Sequence, residues 1–392
     1  MNKNILNQEV QDFIEQNLNE NLTKLILKGS PFETVSTQEL AQQIEGKNKC
    51  AKKLPLWFGT QNIVYPPKLN LEQTSSELTA NYKAALVCGN SLLDATGGFG
   101  IDSFYFSKKI KEVTHCELNE ELSELVVHNQ QQFGIENIKN HVGDSLDYIK
   151  KLQQKFDWIY IDPSRRNDTK GKVFLLEDCL PNVPDNIDFL FAHSDQLLIK
   201  NSPILDITST INELTYVKEI HVIAVQNEVK ELLFLLEKEY AGEIHIKTVN
   251  LQKTENQYFS TQYKNEEVAS YALPKKYVYE PNAAIMKAGA FQEISAQLQL
   301  DKLQQHSHLY TSSEIVKNFP GRTFKINQVV PFDKKKLAKL IPDKKANITT
   351  RNFPETVAQI RKKTKIKDGG NLYLFFTTNL ENQKIVLFCE KA

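Results

Sequence analysis

The chain has 392 residues, of which 41% are hydrophobic and 24% are charged. This balance excludes disordered and fibrous proteins, and the length suggests two or three domains of roughly 100–200 residues each. The five cysteines are scattered and never spaced as Cys-x-x-Cys, which argues against a disulfide framework or a cysteine zinc site and for a reducing cytoplasm. The polar N-terminus and the lack of an apolar run of roughly 20 residues predict no signal peptide and no membrane span.

The net charge of zero hides an asymmetry along the chain. Residues 321–370 contain fourteen Lys or Arg against four Asp or Glu, whereas residues 1–270 sum to −11. An acidic body with a basic C-terminal module is typical of proteins that contact nucleic acid, although a solvated lysine-rich surface gives the same count. The basic residues that could attract phosphate are Lys334, Lys335, Lys336, Lys344, Lys345, Arg351, Arg361, Lys362, Lys363 and Lys365.

The first 74 residues predict a small helical region. Apolar residues spaced three and four apart over 5–28 indicate one helix face. A second short helix is expected to begin near Thr37 and to end at Gly46. The segment 57–70 contains two adjacent prolines and is therefore expected to be a linker or loop.

From residue 91 onward, short apolar and β-branched runs alternate with helical stretches. This alternation is typical of a parallel sheet with helices on both faces. Amphipathic stretches at 204–214 and 228–239 separate the later strands, and a smaller α+β module with a final hairpin follows. The seven predicted strands are 91–95, 112–118, 138–144, 156–163, 196–202, 219–225 and 243–249.

The first of these strands runs into the glycine-rich sequence DATGGFG at 94–100. Glycines are needed where the backbone must turn tightly and approach a ligand without a Cβ in the way. A dinucleotide site requires G-x-G-x-x-G, but counting from Gly98 the third position is Ser103. An acidic residue followed by glycines four and six positions later is the methyltransferase form, which Asp94, Gly98 and Gly100 match.

Two further carboxylates follow at the ends of the next strands. Glu117 lies about twenty residues downstream, where a carboxylate can accept hydrogen bonds from ribose hydroxyls. Asp144 ends the third strand, where it could reach an adenine amino group. Each alone could be a solvated strand end, but together with the glycine turn they predict a site for a nucleoside-containing ligand at the carboxyl edge of the sheet.

The fourth strand ends in Asp162-Pro163-Ser164-Arg165-Arg166. Asp162 could accept a proton or a hydrogen bond from a nucleophilic nitrogen, and Pro163 would give a rigid turn. Arg165 and Arg166 could pair with phosphate, although surface ion pairs would explain them equally well.

Together these stretches resemble class I S-adenosylmethionine-dependent methyltransferases, and among them the RNA guanine methyltransferases. YEPNAAIMKAG, FPGRTFKI and NLYLFFTT in the C-terminal part resemble the modules of a bacterial family of this class. The resemblance implies a Rossmann-like, seven-stranded α/β methyltransferase domain at 75–274, preceded by the N-terminal helical region and cofactor-lid segment at 1–74. A ferredoxin-like module at 275–321 and a basic THUMP-like module at 322–392 would follow, both of α+β type.

The same resemblance implies S-adenosylmethionine as cofactor and structured RNA, tRNA or rRNA, as partner, with no metal. Asp162, Pro163, Arg165 and Arg166 would be catalytic. THUMP domains bind structured RNA, which implies that role for the basic residues of the tail. The residues that would hold the cofactor are Ser76, Asp94, Thr96, Gly98, Gly100, Asp102, Glu117 and Asp144.

One departure leaves the target atom open. Amino-group methyltransferases carry an aromatic residue after Asn/Asp-Pro-Pro, where this sequence has Ser164-Arg165-Arg166. Trp57, Phe58 and Tyr65 are candidates to hold the target base, although large aromatics are more often core residues. The alternatives are a methyltransferase acting on a protein or small molecule, and a non-catalytic RNA-binding protein.

Overall fold

The structure is a computed structural model that describes residues 1–152, 154–165, 175–333, 337, 340–341 and 343–392. Contacts divide the chain into two compact units. The first unit comprises Met1–Lys218 and Leu232–Gly242, and the second comprises Glu219–Glu231 and Glu243–Ala392. Within the described ranges, no helix is long and apolar enough to cross a membrane.

The first unit begins with short helices, and the first three α-helices share an apolar cluster that includes Ile14, Leu40 and Ile44. The short helices are α1 (Gln8–Gln16), α2 (Leu22–Lys28), α3 (Thr37–Lys53), α4 (Pro55–Gly59), α5 (Lys68–Gln73) and α6 (Glu77–Ala84).

The prediction of one continuous helix over 5–28 is wrong. The chain breaks between α1 and α2, where the Asn21 side chain accepts hydrogen bonds from the backbone N–H groups of Thr23 and Lys24. Such an N-cap satisfies donors that a helix start leaves unpaired, so the asparagine favours a new helix over a continuous one.

Two further predictions in this region are also wrong. The second helix does not end at Gly46, because α3 continues to Lys53. A Cβ at Gly46 would lie only 2.4 Å from the Cβ of Tyr65, so this glycine permits close packing and does not end a helix. The segment 57–70 is not one loop, because α4 and α5 occupy both of its ends.

The remainder of the first unit is a sheet with flanking helices. Its strands are ordered β9-β7-β4-β1-β2-β3, all parallel except β9, which is antiparallel to β7. The helices are α7 (Ile101–Phe106), α8 (Glu120–Gln132), α9 (Ser145–Lys151), α10 (Val183–His193) and α11 (Ile207–Glu213). The strands in chain order are β1 (Gly89–Asp94), β2 (Ile110–Glu117), β3 (Ile138–Val142), β4 (Trp158–Ile161), β5 (Ser164–Arg165), β6 (Cys179–Leu180), β7 (Gln196–Asn201), β8 (Val217–Val225), β9 (Glu228–Glu237), β10 (His245–Leu251) and β11 (Gln257–Gln262).

All seven predicted strand segments contain strands, but the amphipathic stretch at 228–239 is the strand β9. Residues Leu232–Leu236 of β9 are buried in succession, which is typical of a strand covered on both faces. The two residues before it, Gln226 and Asn227, have positive φ angles of 50° and 66°. Two such residues are typical of a tight hairpin turn, and this explains why a strand follows there.

The second unit contains the three-stranded part β11-β10-β8 and a further sheet ordered β13-β14-β12-β15-β18-β17-β16. In the further sheet β16 is parallel to β17, and the antiparallel pair β17–β18 confirms the predicted final hairpin. Its elements are β12 (Tyr277–Pro281), α12 (Ala283–Ala288), α13 (Glu293–Leu298), β13 (Asp301–Lys302), β14 (Tyr310–Ser312), β15 (Gly321–Pro331), β16 (Asn347–Arg351), α14 (Val357–Thr364), β17 (Tyr373–Thr378) and β18 (Lys384–Lys391).

Candidate functional site

The carboxyl ends of the parallel strands in the first unit bring the predicted acidic residues to one edge. Asp94 is the last residue of β1 and Glu117 the last residue of β2, while Asp162 directly follows β4. Asp144 stands two residues after β3 and caps α9. This edge is where open α/β sheets bind ligands.

The glycine turn at this edge contains two kinds of glycine. Cβ atoms placed at Gly97 and Gly100 would lie 2.2 Å from Nε2 of His115 and 2.7 Å from Cγ1 of Val126, so protein packing requires glycine there. Gly98 differs, because it has a φ of +54° and a Cβ there would have its nearest neighbour 3.9 Å away, at the Thr96 carbonyl oxygen. The turn therefore presents open space above Gly98.

His115 was not predicted and lies beneath the turn as a fully buried residue of β2. Burial lowers the pKa of its imidazole to about 4, so the ring is neutral at physiological pH. Its position explains why Gly97 has no side chain, a relation between strand and turn that local sequence does not reveal.

Asp94 lies beneath the turn and is 1% exposed. Its Oδ1 accepts a hydrogen bond from the backbone N–H of Thr96 at 3.1 Å, and its Oδ2 accepts one from the Ser103 hydroxyl at 2.5 Å. Burial raises the pKa of this carboxyl to about 7, and the carboxylates of Asp102 and Asp162 add to the effect.

Glu117 ties the turn to the end of β2. Its Oε2 accepts a hydrogen bond from the backbone N–H of Gly98 at 2.8 Å, and its Oε1 accepts one from Asn119 at 2.8 Å. Each carboxylate oxygen has a further lone pair, so both can still accept from a ligand. Leu118 beside it is 72% exposed, and Asp144 is also exposed while its Oδ1 caps α9.

Asp102 is the centre of a buried polar network. Its Oδ1 lies 3.1 Å from Nζ of the fully buried Lys83, and its Oδ2 accepts hydrogen bonds from Ser75 and Tyr160 at 2.9 and 2.8 Å. Burial opposes ionisation, but the ammonium groups of Lys83 and Lys200 hold the pKa of Asp102 below its usual value. Sequence reasoning proposed Asp102 and missed its three partners, since they come from separate elements.

Two other predicted residues have clear structural roles. Ser76 is the N-cap of α6 and accepts a hydrogen bond from the backbone N–H of Thr79 at 3.2 Å. The Thr96 hydroxyl accepts a hydrogen bond from the backbone N–H of Asp162 at 2.7 Å, which joins the glycine turn to the end of β4.

Asp162 forms an ion pair that the sequence did not indicate. Its Oδ2 lies 2.5 Å from Nζ of Lys200, and the two side chains are 33% and 12% exposed, respectively. Burial raises the pKa of Asp162, and the Lys200 ammonium opposes that rise. Pro163 is half-buried, while the Arg165 side chain and the whole of Arg166 lie outside the described residues.

The basic residues predicted to contact RNA fall into two groups in the second unit. Arg351 donates to the buried Glu280 at 2.8 Å, and Arg361 donates to the carbonyl oxygens of Ile366 and Ala346 at 3.2 and 3.1 Å. These arginines bind neighbouring parts of their own unit, as does Lys363 through its ion pair with Glu355. Lys334, Lys335 and Lys336 lie outside the described residues.

The second group is an exposed cluster that includes Lys367, which was not predicted. The backbone of Lys345 forms a β-bridge with Lys367, and the Lys367 N–H donates to the Lys344 carbonyl oxygen at 2.7 Å. Lys365 precedes Lys367 by two residues and ends α14. We call Lys344, Lys345, Lys365 and Lys367 the basic edge; all four are exposed, as is Lys362 on α14.

The aromatic candidates belong mainly to the core of the first unit. Trp57 packs against Phe104 and Phe133 with ring centroids 4.7 Å away in each case. The Tyr65 hydroxyl donates to the Trp57 carbonyl oxygen at 3.0 Å, and both rings are buried, while Phe58 is half-buried. Their packing explains Trp57 and Tyr65 without a target base.

Family models match the C-terminal part of the chain. A ferredoxin-like domain matches residues 277–320, and a THUMP domain-like model matches residues 321–391. Among curated proteins, none matches this chain.

One solved structure is similar over the whole length. The crystal structure of a "putative methyltransferase" from Porphyromonas gingivalis W83 is 32% identical, covers 100% of this chain and 98% of that one, and has a TM-score of 0.89. An rRNA methylase from Streptococcus thermophilus is 16% identical, covering 41% of this chain and 95% of its own, with a TM-score of 0.31. TrmK of M. capricolum, in complex with S-adenosylhomocysteine, is 15% identical, covers 41% of this chain and 68% of its own, and has a TM-score of 0.31.

Replacing Asp94 with asparagine tests the raised pKa. A buried carboxyl with a pKa of about 7 stabilises the fold when protonated, and this contribution is lost as the pH rises from about 4 through 7. Asparagine has no such titration. We therefore expect the free energy of unfolding of Asp94→Asn, relative to that of the parent, to increase between pH 4 and pH 7 by ~1.4 kcal/mol per pH unit.

Urea unfolding of both proteins at pH 5, 6, 7 and 8, without added ligand, measures this difference. The comparison between variants is needed because His115, with its pKa lowered by burial, makes the fold less stable as the pH falls below about 6.5, the opposite trend. Unfolding midpoints that change in parallel for the two proteins would contradict the prediction.

Proposed function

This chain belongs to the bacterial family that joins a class I methyltransferase fold to ferredoxin-like and THUMP-like C-terminal domains, and from that membership we propose that it transfers a methyl group from S-adenosylmethionine to a base in structured RNA, tRNA or rRNA. The observation that supports the proposal most directly is that Asp94, Gly98, Glu117 and Asp162 lie at the same carboxyl edge of the sheet. Ligand-holding and nucleophile-facing groups thus stand at the ends of neighbouring parallel strands.

The residues at the edge fit a nucleoside sulfonium. The open space above Gly98 admits the close approach of a ligand to the backbone, and Glu117 retains lone pairs for two ribose hydroxyls. The exposed Leu118 offers an apolar surface for a purine, and Asp144 can accept from an amino group. When bound, S-adenosylmethionine supplies a methyl group on a positively charged sulfur, which a nucleophile displaces in line.

In such a reaction, the residues of this chain would position the two reactants and accept one proton from the nucleophile. Asp162 is partly exposed at the end of β4, so its carboxylate can accept a hydrogen bond or proton from a nitrogen nucleophile. The hydrogen bond from its backbone N–H to Thr96 fixes that carboxylate relative to the glycine turn. Pro163, Arg165 and Arg166 follow directly, and we assign the arginines to the substrate backbone.

The basic edge supports RNA as the substrate class. Lysine ammonium groups on an exposed surface attract phosphate without regard to base sequence, and the THUMP domain-like match covers all four residues. Lys362 and the predicted Lys334–Lys336 would add to this field. Arg351, Arg361 and Lys363 have protein partners already, so we expect them to contribute less.

Replacing Gly98 with alanine tests the cofactor site. We expect Gly98→Ala to weaken binding of S-adenosylhomocysteine at least about tenfold, which is about 1.4 kcal/mol, because the added methyl group enters the ligand's space. Isothermal titration calorimetry gives the affinity directly.

Gly134→Ala is the matched control. Gly134 has a similar φ of +64° and equally open surroundings, but it follows α8, away from the carboxyl edge. Both alanines therefore carry a similar backbone strain of about 1–2 kcal/mol. Equal affinities in the two variants would remove Gly98 from the cofactor site.

Replacing the four lysines of the basic edge with alanine tests RNA binding. Each lost phosphate contact lowers the slope of log affinity against log salt by about 0.7–0.9. Filter binding to tRNA and rRNA fragments over a salt series should show a weaker and less salt-dependent interaction. The control replaces the exposed Lys24, Lys28, Lys52 and Lys111 of the first unit, and an equal effect of both sets would make the basic edge an ordinary solvated surface.

Replacing Asp162 with alanine tests the reaction in cells. Nucleoside mass spectra of tRNA and rRNA from cells lacking the gene should lose one methylated nucleoside. The parent gene should restore this nucleoside and Asp162→Ala should not, because Asp162 is the one carboxylate among the described residues that directly follows β4. Unchanged spectra in both RNA pools would point to a protein or small-molecule substrate.

A further inference from the structure

The pair formed by Lys200 and Asp162 extends the proposed function. We propose that Lys200 is a positioning residue that keeps Asp162 ionised and fixes one of its oxygens, so that the other oxygen takes a proton from an N–H nucleophile as that nitrogen is methylated. This inference rests on the proposed methyl transfer and names the class of atom that receives the methyl group.

The sheet register places the two side chains together. Parallel pairing sets Ile161 of β4 opposite Ile199 of β7, so the next residues, Asp162 and Lys200, are also neighbours. They point to the same face because side chains alternate along both strands. The resulting contact of 2.5 Å joins Nζ to Oδ2.

The two oxygens of Asp162 differ in their surroundings. Oδ2 is held by Lys200, whose side chain is 12% exposed and therefore restricted in its conformations. Within the part of the chain that the structure describes, no group donates a hydrogen bond to Oδ1. A third of the Asp162 side chain remains exposed, so a substrate can reach it.

Among the described residues, charged groups from four elements interact electrostatically with Asp162. Lys200 comes from β7, Asp102 from α7, Lys83 from α6 and Asp94 from the end of β1. Lys83 is already paired with Asp102 at 3.1 Å, so among the described residues Lys200 is the cation in direct contact with Asp162. Without Lys200, burial and the neighbouring Asp102 carboxylate would act together to protonate Asp162, and a protonated carboxyl cannot accept a proton.

This arrangement favours one kind of nucleophile. When a nitrogen bearing hydrogen is methylated, a new N–C bond forms and the nitrogen must give up the N–H proton. The C–S bond of the methyl donor would break in the same step, and its electron pair would stay on the sulfur of the neutral thioether that leaves. The electron pair of that N–H bond stays on nitrogen while Oδ1 takes the proton as a neutral carboxyl, and Lys200 remains an ammonium. A ring N–H or an exocyclic amine of a base needs such an acceptor, whereas an atom without a proton does not.

The experiment measures the pKa of Asp162 by carboxyl ¹³C NMR, without cofactor or substrate. The Asp162 signal is assigned by its loss in Asp162→Asn. We expect Lys200→Met to raise this pKa by roughly 1–3, because an adjacent opposite charge is lost, and Lys200→Arg to keep it close to the parent. Lys139→Met is the control, because it removes an exposed ion pair of 2.8 Å in the same sheet.

An unchanged pKa in Lys200→Met would overturn the proposal, as would an equal rise in the Lys139→Met control. Should Lys200→Met not fold, Lys200→Gln removes the same charge and gives the same two outcomes. Once the RNA substrate is known, the acid limb of the pH profile of kcat/KM should move upward with the pKa. Calorimetry with S-adenosylhomocysteine on the parent protein separates the two ideas, because absent binding would refute the proposed function and leave the pKa result standing.

Discussion

Parallel pairing of β1 with its neighbours β2 and β4 is the constraint on which the site depends. It brings the ends of strands that are far apart in sequence to one edge, and each strand then needs only one suitable residue after its last buried position. Asp94, Glu117 and Asp162 occupy those positions. The glycine turn gains its shape from the same register, because β2 sets His115 against the place where a side chain at Gly97 would lie.

Burying several charges near this edge has a cost that pairing must offset. The negative charge of Asp102 is paired with the ammonium group of Lys83, and that of Asp162 is paired with the ammonium group of Lys200. Among the described residues, the donors to Asp94 are neutral, namely the Thr96 amide and the Ser103 hydroxyl. This explains why burial raises the pKa of Asp94 to about 7 while the pKa of Asp102 falls. One edge thus holds carboxyl groups with different proton affinities, set by their partners and not by their residue type.

The sequence could predict the residues of this site that follow a fixed spacing along the chain. Asp94, Gly98 and Glu117 follow a pattern that can be counted along the chain, and the structure places them together. Lys83 and Lys200 could not be predicted, because their partners belong to other elements and no period or motif marks a buried lysine. Gly46 shows the same limit for the fold. The sequence alone does not distinguish a glycine that allows Tyr65 to pack closely from a glycine that ends a helix.

Charge counts have a related weakness. The basic C-terminal segment includes arginines that bind Glu280 and backbone carbonyls of their own unit, so its formal charge overstates what is presented to a partner. Planar guanidinium groups suit such fixed, multiple hydrogen bonds, whereas the lysines of the basic edge present mobile point charges to solvent. Lysines of this kind supply affinity for phosphate with little sequence preference. On the proposed function, we therefore expect base selectivity to arise at the carboxyl edge of the sheet in the first unit, where Asp162 and Lys200 would select for a nucleophile that carries a proton.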